Sequence, residues 1–483
     1  MAAAFLLAAC SLTPVYTRPD APVPRSLDFE PIGTAGSDGM FDVSPGEFFY
    51  DPRLRELIAA ALPGNRDLRQ ALLDIEEAAA QYRVQRADRL PQIDGEGSDA
   101  YEGSFDDKAG NRFGTNTYVV KGAAFFELDV FGRLKSLSDA ALQRYLATEQ
   151  AQRAVRIALV SQTAQSYLAE RLAAELEALA TRTLRSRQSS YAFVEGRVRS
   201  GQSSLLDLEQ ARGLVETANA EVAGRHEEWI RADNALKVLT GSFAPLSLPP
   251  PLPLLEQRLA EFPEGLASSV LLRRPDIMEA EFSLKAANAD IGAARAAFFP
   301  TISLVGNLGA QSDELRLLFD ATGSFWAFLP TIRLPIFTGG RLRANLDLAE
   351  IRKEKAIVLY EQRIQTAFRE AADALRTRSL LAQRLAAQQR YLQSQRIALQ
   401  LATSSYTSGA VSYLAVLEAQ RAVFEAERGL LTVRRDQLVN DVNLYAALGG
   451  GLKKEKLGPA TGVAADGALD VPASPDISSK PNP

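Results

Sequence analysis

Apolar positions along the chain follow two periods in turn. Leu54, Leu57, Ile58, Ala61 and Leu62 recur at helical spacing after Asp51-Pro52, with proline at its favoured first helical position. The pattern resumes after Gly64 and runs to Leu90, where Pro91 stops it. From Pro91 the period becomes two. Ile93, Gly95, Gly97, Tyr101 and Phe105 fall on one face, and Gln92, Asp94, Glu96, Ser98, Glu102 and Ser104 on the other. A polar turn follows, and the return strand sets Tyr118, Val120, Gly122, Ala124, Phe126 and Leu128 opposite Thr117, Lys121, Glu127 and Asp129. Arg133 to about Val198 has no proline, one glycine (Gly196) and mostly good helix formers, which predicts a rod of roughly 100 Å. The rod reverses at Gly201 and a shorter helix returns.

The same series then repeats. Pro91 is echoed by Pro300, Gly132-Arg133-Leu134 by Gly340-Arg341-Leu342, Gly201 by Gly409 and Gly241 by Gly450, with offsets that agree to within one residue. Ile302, Leu304 and Leu308 alternate with Thr301, Ser303 and Asn307; a fourth strand runs from Ser324 to the segment Leu334-Phe337; a second rod runs from Arg341 to Tyr406. The chain is a tandem duplication of one unit: helix, two strands, very long helix, tight turn, helix. Rods of this length exceed any globular core and must pack side by side as coiled coils.

The strands are one-sided and roughly ten residues or more, the weak signature of a membrane β-barrel wall around water. A pair of hairpins on a soluble core would alternate in the same way. Four strands cannot close a barrel, and lipid tolerates no open edge, so a barrel requires several chains. No apolar run reaches the eighteen residues of a helical span.

Composition narrows the chemistry. With 483 residues, 23% charged and a net charge of −5, no nucleic-acid-binding surface is indicated. One histidine (His226) and one cysteine (Cys10) leave no Cys/His metal cluster, disulfide or Cys–His dyad, and no phosphate-loop motif occurs. No catalytic residue, metal site or cofactor is expected, and the class is not that of an enzyme. Phe5 to Cys10 reads FLLAAC, an apolar run ending on the cysteine that looks like a bacterial lipobox; residues 1–9 then read as a signal peptide. Several acyl chains on Cys10 would make a stable anchor where one would be marginal.

These features resemble the outer-membrane factor family, the efflux ducts of TolC/OprM type, and especially its lipoprotein, NodT-like branch. CSLTPVYTRPDAPVP resembles that branch's acylated N-terminus; LLRRPDIMEAEFSLKAANADIGAARAAFFPTISL, LPIFTGGRLRANLDLAE and SYTSGAVSYLAVLEAQR follow in the family's order. The resemblance implies a mainly α fold with membrane β: a homotrimer with a twelve-stranded barrel, four strands per chain, continuing into a long periplasmic α-helical barrel with a mixed equatorial domain. It divides the chain into an acylated segment (10–50), a first repeat (51–241), an inter-repeat and equatorial region (242–275), a second repeat (276–450) and a tail (451–483).

It also implies the function: passive exit duct of a tripartite efflux pump for drugs or other small molecules, in the outer membrane of a Gram-negative bacterium. Partners would be a periplasmic adaptor, an inner-membrane pump and outer-membrane lipid. The alternatives are a duct for type I protein secretion and, from another class, a periplasmic coiled-coil adaptor; the duplicated strand pairs favour the duct. By resemblance the adaptor docks at the two turns, Val198, Arg199, Ser200 and Gly201 in one and Thr407, Ser408, Gly409 and Ala410 in the other. Each glycine could equally serve only the reversal of the chain. Tyr406, Leu414, Glu418 and Asp207 match the family's periplasmic gate, an apolar ring and a carboxylate ring multiplied threefold around an axis, where like charges repel and draw cations. Val411 and Ala415 replace charged residues of some relatives, which shifts closure toward Leu414 and Tyr406. Alone in one chain, a carboxylate on a helix face is ordinarily just solvated.

Overall fold

The computed structural model describes residues 11–24, 27, 43–105, 112–244, 246–262, 268–320 and 323–450. A short helix α1 (Pro45–Phe48) precedes α2 (Pro52–Gly64) and α3 (Arg66–Ala87). Then come β1 (Gln92–Phe105), β2 (Arg112–Leu128), the rod α4 (Arg133–Arg199) and its return α5 (Leu205–Thr240). The second half supplies α6 (Pro275–Ala296), β3 (Thr301–Ser312), β4 (Ser324–Arg333), the rod α7 (Arg341–Thr407) and α8 (Tyr413–Ala447). Both rods have 67 residues, hence about 100 Å each. The expected elements are present, with three differences. α1 carries no periodic signal because it is a single turn; α2 and α3 meet at Asn65, whose side chain accepts Leu68 N at 3.0 Å. β4 ends at Arg333, before Pro335, which cannot donate to a ladder.

The four strands form one antiparallel sheet in the order β1-β2-β3-β4, each repeat contributing a hairpin. Its register carries one apolar face across all four: Ile93 is opposite Ala124, Ala124 opposite Gly306 and Gly306 opposite Phe328. One step along, Gly122, Leu308 and Trp326 align. Ile93, Leu308, Trp326 and Ile332 on this face are all 70% exposed or more. The opposite face is mostly polar, with Lys121 paired to Glu96 at 3.0 Å. At its base Arg133 forks onto Glu127 at 2.8 and 2.9 Å, tying the sheet to the first turn of α4.

The helices form a layer below the sheet. In its upper half the order is α3-α4-α6-α7; in its lower half α5-α4-α8-α7, so both rods run its full height. No described helix is long and apolar enough to cross a membrane. At mid-height the main core gathers α1, the end of α8 and the inter-repeat segment: Phe48 stacks on Tyr445 (4.3 Å), and Phe49 bridges to Leu259. Buried polar groups lock this belt. Asp51 caps α2 through Arg53 N (2.8 Å) and also accepts from Tyr167 Oη (2.6 Å) and Gln257 Nε2. Burial, then the bond to Asp51, pushes the Tyr167 phenol well above its usual range. Arg274 donates to Asp276, to Glu370 (3.0 Å) and to the Ala447 carbonyl (3.0 Å), joining α6, α7 and α8; burial opposes its charge but Asp276 and Glu370 raise its pKa nonetheless.

Candidate functional site at the hairpin tips

The lower end of the helical layer holds the residues expected at the docking turns and the gate. Both rods stop in the same way. Gly201 (φ 70°) lets Gln202 N reach back to Arg197 O at 2.7 Å, and Gly409 (φ 82°) lets Ala410 N reach Ser405 O at 2.8 Å. These are helix ends closed by a left-handed glycine. A Cβ on either glycine would meet nothing within 4 Å, so the requirement is one of dihedral angle, not of space.

The hydroxyls beside the glycines serve the helix ends. Ser200 Oγ donates to Gly196 O and Arg197 O, Thr407 Oγ1 to Ser404 O and Ser408 Oγ to Ser405 O. Arg199 is exposed and paired with Glu195 at 3.0 Å. Facing outward at the two turns are backbone, Arg199, Gln202, Ala410 and Val411, with Leu205 and Leu206 at the start of α5, all exposed. Val198 instead turns inward against the tip core.

That core draws on all four long helices: Val194 from α4, Ala211 from α5, Tyr406 from α7, Tyr413 and Val416 from α8. Tyr406 is 8% exposed, and its ring lies 5.2 Å from that of Tyr413. The four residues expected at the gate therefore separate within one chain. Tyr406 is buried between the hairpins. Leu414 is 51% exposed and Glu418, one helical turn on, is exposed on the same face of α8, without an ionic or hydrogen-bonding partner among the described residues. Asp207 is turned back on its own helix: its carboxylate accepts from Ser203 Oγ (2.8 Å) and Ser204 N (3.2 Å), while Ser204 Oγ accepts Asp207 N (3.1 Å). Slight burial would raise the Asp207 carboxyl, but these bonds and the Arg197 charge hold it below the usual range. The Ser204-x-x-Asp207 spacing is a capping box legible in the sequence. Arg197, which lies over the Tyr406 ring at 4.9 Å, had no such signal.

At the other end, Cys10 lies outside the described residues, but the segment after it is strapped along α6. Thr13 Oγ1 meets Ser136 Oγ at 3.1 Å, Asn288 Nδ2 donates to Pro14 O at 2.7 Å, and Tyr16 and Arg18 converge on the buried Glu281. Gly292 makes room for the strap, since a Cβ there would lie 2.1 Å from Thr13 Oγ1. Thr13 thus meets α4 within one turn of the sheet.

A one-sided antiparallel sheet continuing into rods of about 100 Å defines a membrane wall joined to a long helical conduit. The comparisons with known proteins agree. The family model "Outer membrane efflux protein" matches residues 57–242 and 266–450, one copy on each repeat. Cation efflux system protein CusC of Escherichia coli K12 is 48% identical over 449 residues, covering 93% of this chain and 98% of that one. The probable outer membrane lipoprotein SilC of Salmonella typhimurium is 45% identical, covering 92% and 97%. The toluene efflux pump outer membrane protein TtgI of Pseudomonas putida is 43% identical, covering 93% and 97%. A crystal structure of CusC superposes with a TM-score of 0.84 over 92% of this chain and 100% of that chain. The chain belongs to the outer membrane efflux protein family. It is the outer-membrane channel component of an efflux system.

Proposed function

We propose that three copies of this chain close into one duct that carries solutes passively across the outer membrane and the periplasm. The observation that carries this reading is the sheet: four strands with one continuous apolar face and two unpaired edges, β1 and β4, neither of which is tolerable alone in lipid. Twelve strands make a wall wide enough for an aqueous bore. The helical layer supports the same closure. α7 forms its edge along both halves and exposes Ile351, Val358, Leu380 and Leu401, an apolar stripe that a neighbouring copy would cover.

In such an assembly the Leu414 and Glu418 faces of three α8 helices converge, an apolar ring at the tip with a carboxylate ring one helical turn above it, and form the gate together with Tyr406 and Asp207. The turns at Val198–Gly201 and Thr407–Ala410 receive the periplasmic adaptor, which joins the duct to an inner-membrane pump. The strap fits an N-terminus anchored by lipid on Cys10, as the lipoprotein name of SilC suggests. The chain performs no catalysis, and its domains are the two repeats, 51–241 and 276–450, on either side of the region 242–275. Relatives named for cation and for toluene efflux both align over nearly the whole chain, which supports cargo selection by the pump rather than by the duct.

The native mass of the detergent-extracted, lipid-bearing protein tests this. Three copies per particle are expected; a stable monomer overturns the barrel and the conduit together.

A further inference from the structure

The duplication supplies a template for the contact between copies. Within one chain the rod of the first repeat, α4, packs on α6 of the second. The helix equivalent to α6 is α3, and α3 and the second rod, α7, lie at opposite edges of the layer. In a ring of copies α7 therefore meets α3 of the next one. The α4–α6 contact is antiparallel: a Cβ on Gly292 would lie 2.8 Å from Ser136 Oγ, and Arg144 pairs with Asp290. Its seam is made of small buried residues, Ala140 and Ala147 on α4 with Ala286, Ala289 and Ala293 on α6. The repeat offsets, 208 from Arg133 to Arg341 and 209 from Pro91 to Pro300, carry these positions onto Leu348 and Lys355 of α7 and onto Glu77, Ala80 and Val84 of α3. Both helices continue that face at the alternating three- and four-residue spacing of a coiled coil, Leu73 joining it on α3 and Ile351 and Val358 on α7. In the single chain every residue of the two faces is exposed except the half-buried Ala80.

We propose that these two faces form an antiparallel seam between neighbouring copies, in which Lys355 of one copy pairs with Glu77 of the next as its single charged layer. This rests on the three-copy reading above and names the surfaces that close it. The register that carries Ala147 past Ala286 sets Lys355 at Glu77, with Val358 at Leu73 and Ile351 at Ala80. In the single chain Lys355 has no ionic partner among the described residues, and Glu77 accepts only from Gln81 of its own helix, at 2.9 Å. The surrounding charges match: Asp74 and Glu76 stand beside Glu77, and Arg352 and Lys353 beside Lys355, with Glu354 the one acid between them. An ion pair drawn out of water contributes little net stability, but it fixes register. Slipping α7 by one turn would set Lys355 against an apolar side chain and leave Glu77 uncompensated.

Cysteine pairs and native mass together test the seam on the full-length, lipid-bearing protein. Leu73→Cys/Val358→Cys places two thiols in one layer on adjacent copies and should give a covalent trimer on oxidation in the outer membrane. Leu73→Cys/Ile351→Cys, one heptad out of register, leaves the thiols about 10 Å further apart, beyond the reach of a disulfide, and should not cross-link. If the unoxidised particle holds three copies but the first pair fails to cross-link, or both pairs cross-link equally, the seam is wrong and the trimer stands; a monomeric particle overturns both. Lys355→Glu sets two carboxylates together at every junction and should lower the trimer fraction by roughly tenfold or more, and Lys355→Glu/Glu77→Lys should restore it. Assembly of Lys355→Glu at the parent level, or no rescue by the reversed pair, overturns the ion pair.

Discussion

Gly409 allows the two roles of the turns to be separated. At φ 82° an L-residue with a Cβ is strained by about 1–2 kcal/mol, whereas asparagine accepts this conformation at much smaller cost. No atom lies within 4 Å of a Cβ at Gly409 or Gly201, so strain is the whole structural penalty. Gly409→Ala should therefore lower stability by about 1 kcal/mol while adding only a methyl group to the outer surface. Gly409→Asn should fold almost as the parent but push an amide into whatever docks there, and a misfit in a packed contact costs about 1–3 kcal/mol, or roughly fivefold to 150-fold in affinity. The assay pairs thermal unfolding of the purified protein with efflux complementation in a strain that lacks its own duct and supplies adaptor and pump. The docking role predicts an inversion: the asparagine variant is the more stable and the worse exporter. If export instead follows stability, alanine below asparagine, the glycines serve only the reversal of the chain. The same pair at Gly201 (φ 70°) shows whether both turns are touched.

Three further outcomes follow from the packing. On the sheet, Leu308→Arg on the apolar face should cost about 2–4 kcal/mol and deplete the outer-membrane fraction, whereas Asn307→Arg on the opposite face should insert normally; equal insertion of both would refute the assignment of faces. Tyr167→Phe deletes a buried donor to a carboxylate and should destabilise the mid-height belt by about 1.5–3 kcal/mol in denaturant unfolding, with Asp51 still held by Gln257; an unchanged midpoint would remove this network from the account. The Glu281 carboxyl is penalised by burial yet held below its usual range by Arg18 and Lys285, so its stabilisation is complete above the unfolded value of about 4.3 and is lost as pH falls through the lower folded value. Proteolysis of residues 11–18 should accelerate on acidification in the parent. In Glu281→Gln it should be fast at every pH.

Local and periodic features were legible in the sequence, and pairings between distant segments were not. The rods, the strand faces and the closing glycines each repeat within a few residues, and the duplication showed every one of them twice. α1 is one turn and shows its role only through Phe48 and Phe49, which pack on Tyr445 and pair with Leu259. Arg274 reads as half of a dibasic pair before a proline; only the fold brings Glu370 and Ala447 to it. At the tip, the resemblance sets Asp207 among the gate residues; its spacing from Ser204 also encodes a helix cap, where its carboxylate accepts from Ser203 Oγ and Ser204 N.

The two repeats differ at this cap. With Gly201 set on Gly409, Asp207 falls on Ala415, so the third residue of α8 carries no acid, and Ser412 caps it with no side-chain bond. A capping residue contributes about 1 kcal/mol to a helix end, and the first hairpin retains that restraint while the second has lost it. The second hairpin instead carries its acid one turn further along, at Glu418, exposed beside Leu414 and free of internal partners among the described residues. An acid that caps a turn restrains it, whereas an acid set out on a helix face is open to solvent or to a neighbouring chain. Divergence after duplication thus left one hairpin with a capped turn and one without, joined through the tip core, the Arg197–Tyr406 contact and the bond from Gln420 Nε2 to Ser190 Oγ at 3.2 Å. If the tips part, the strain falls on the uncapped turn at Gly409, and the motion belongs to α7 and α8.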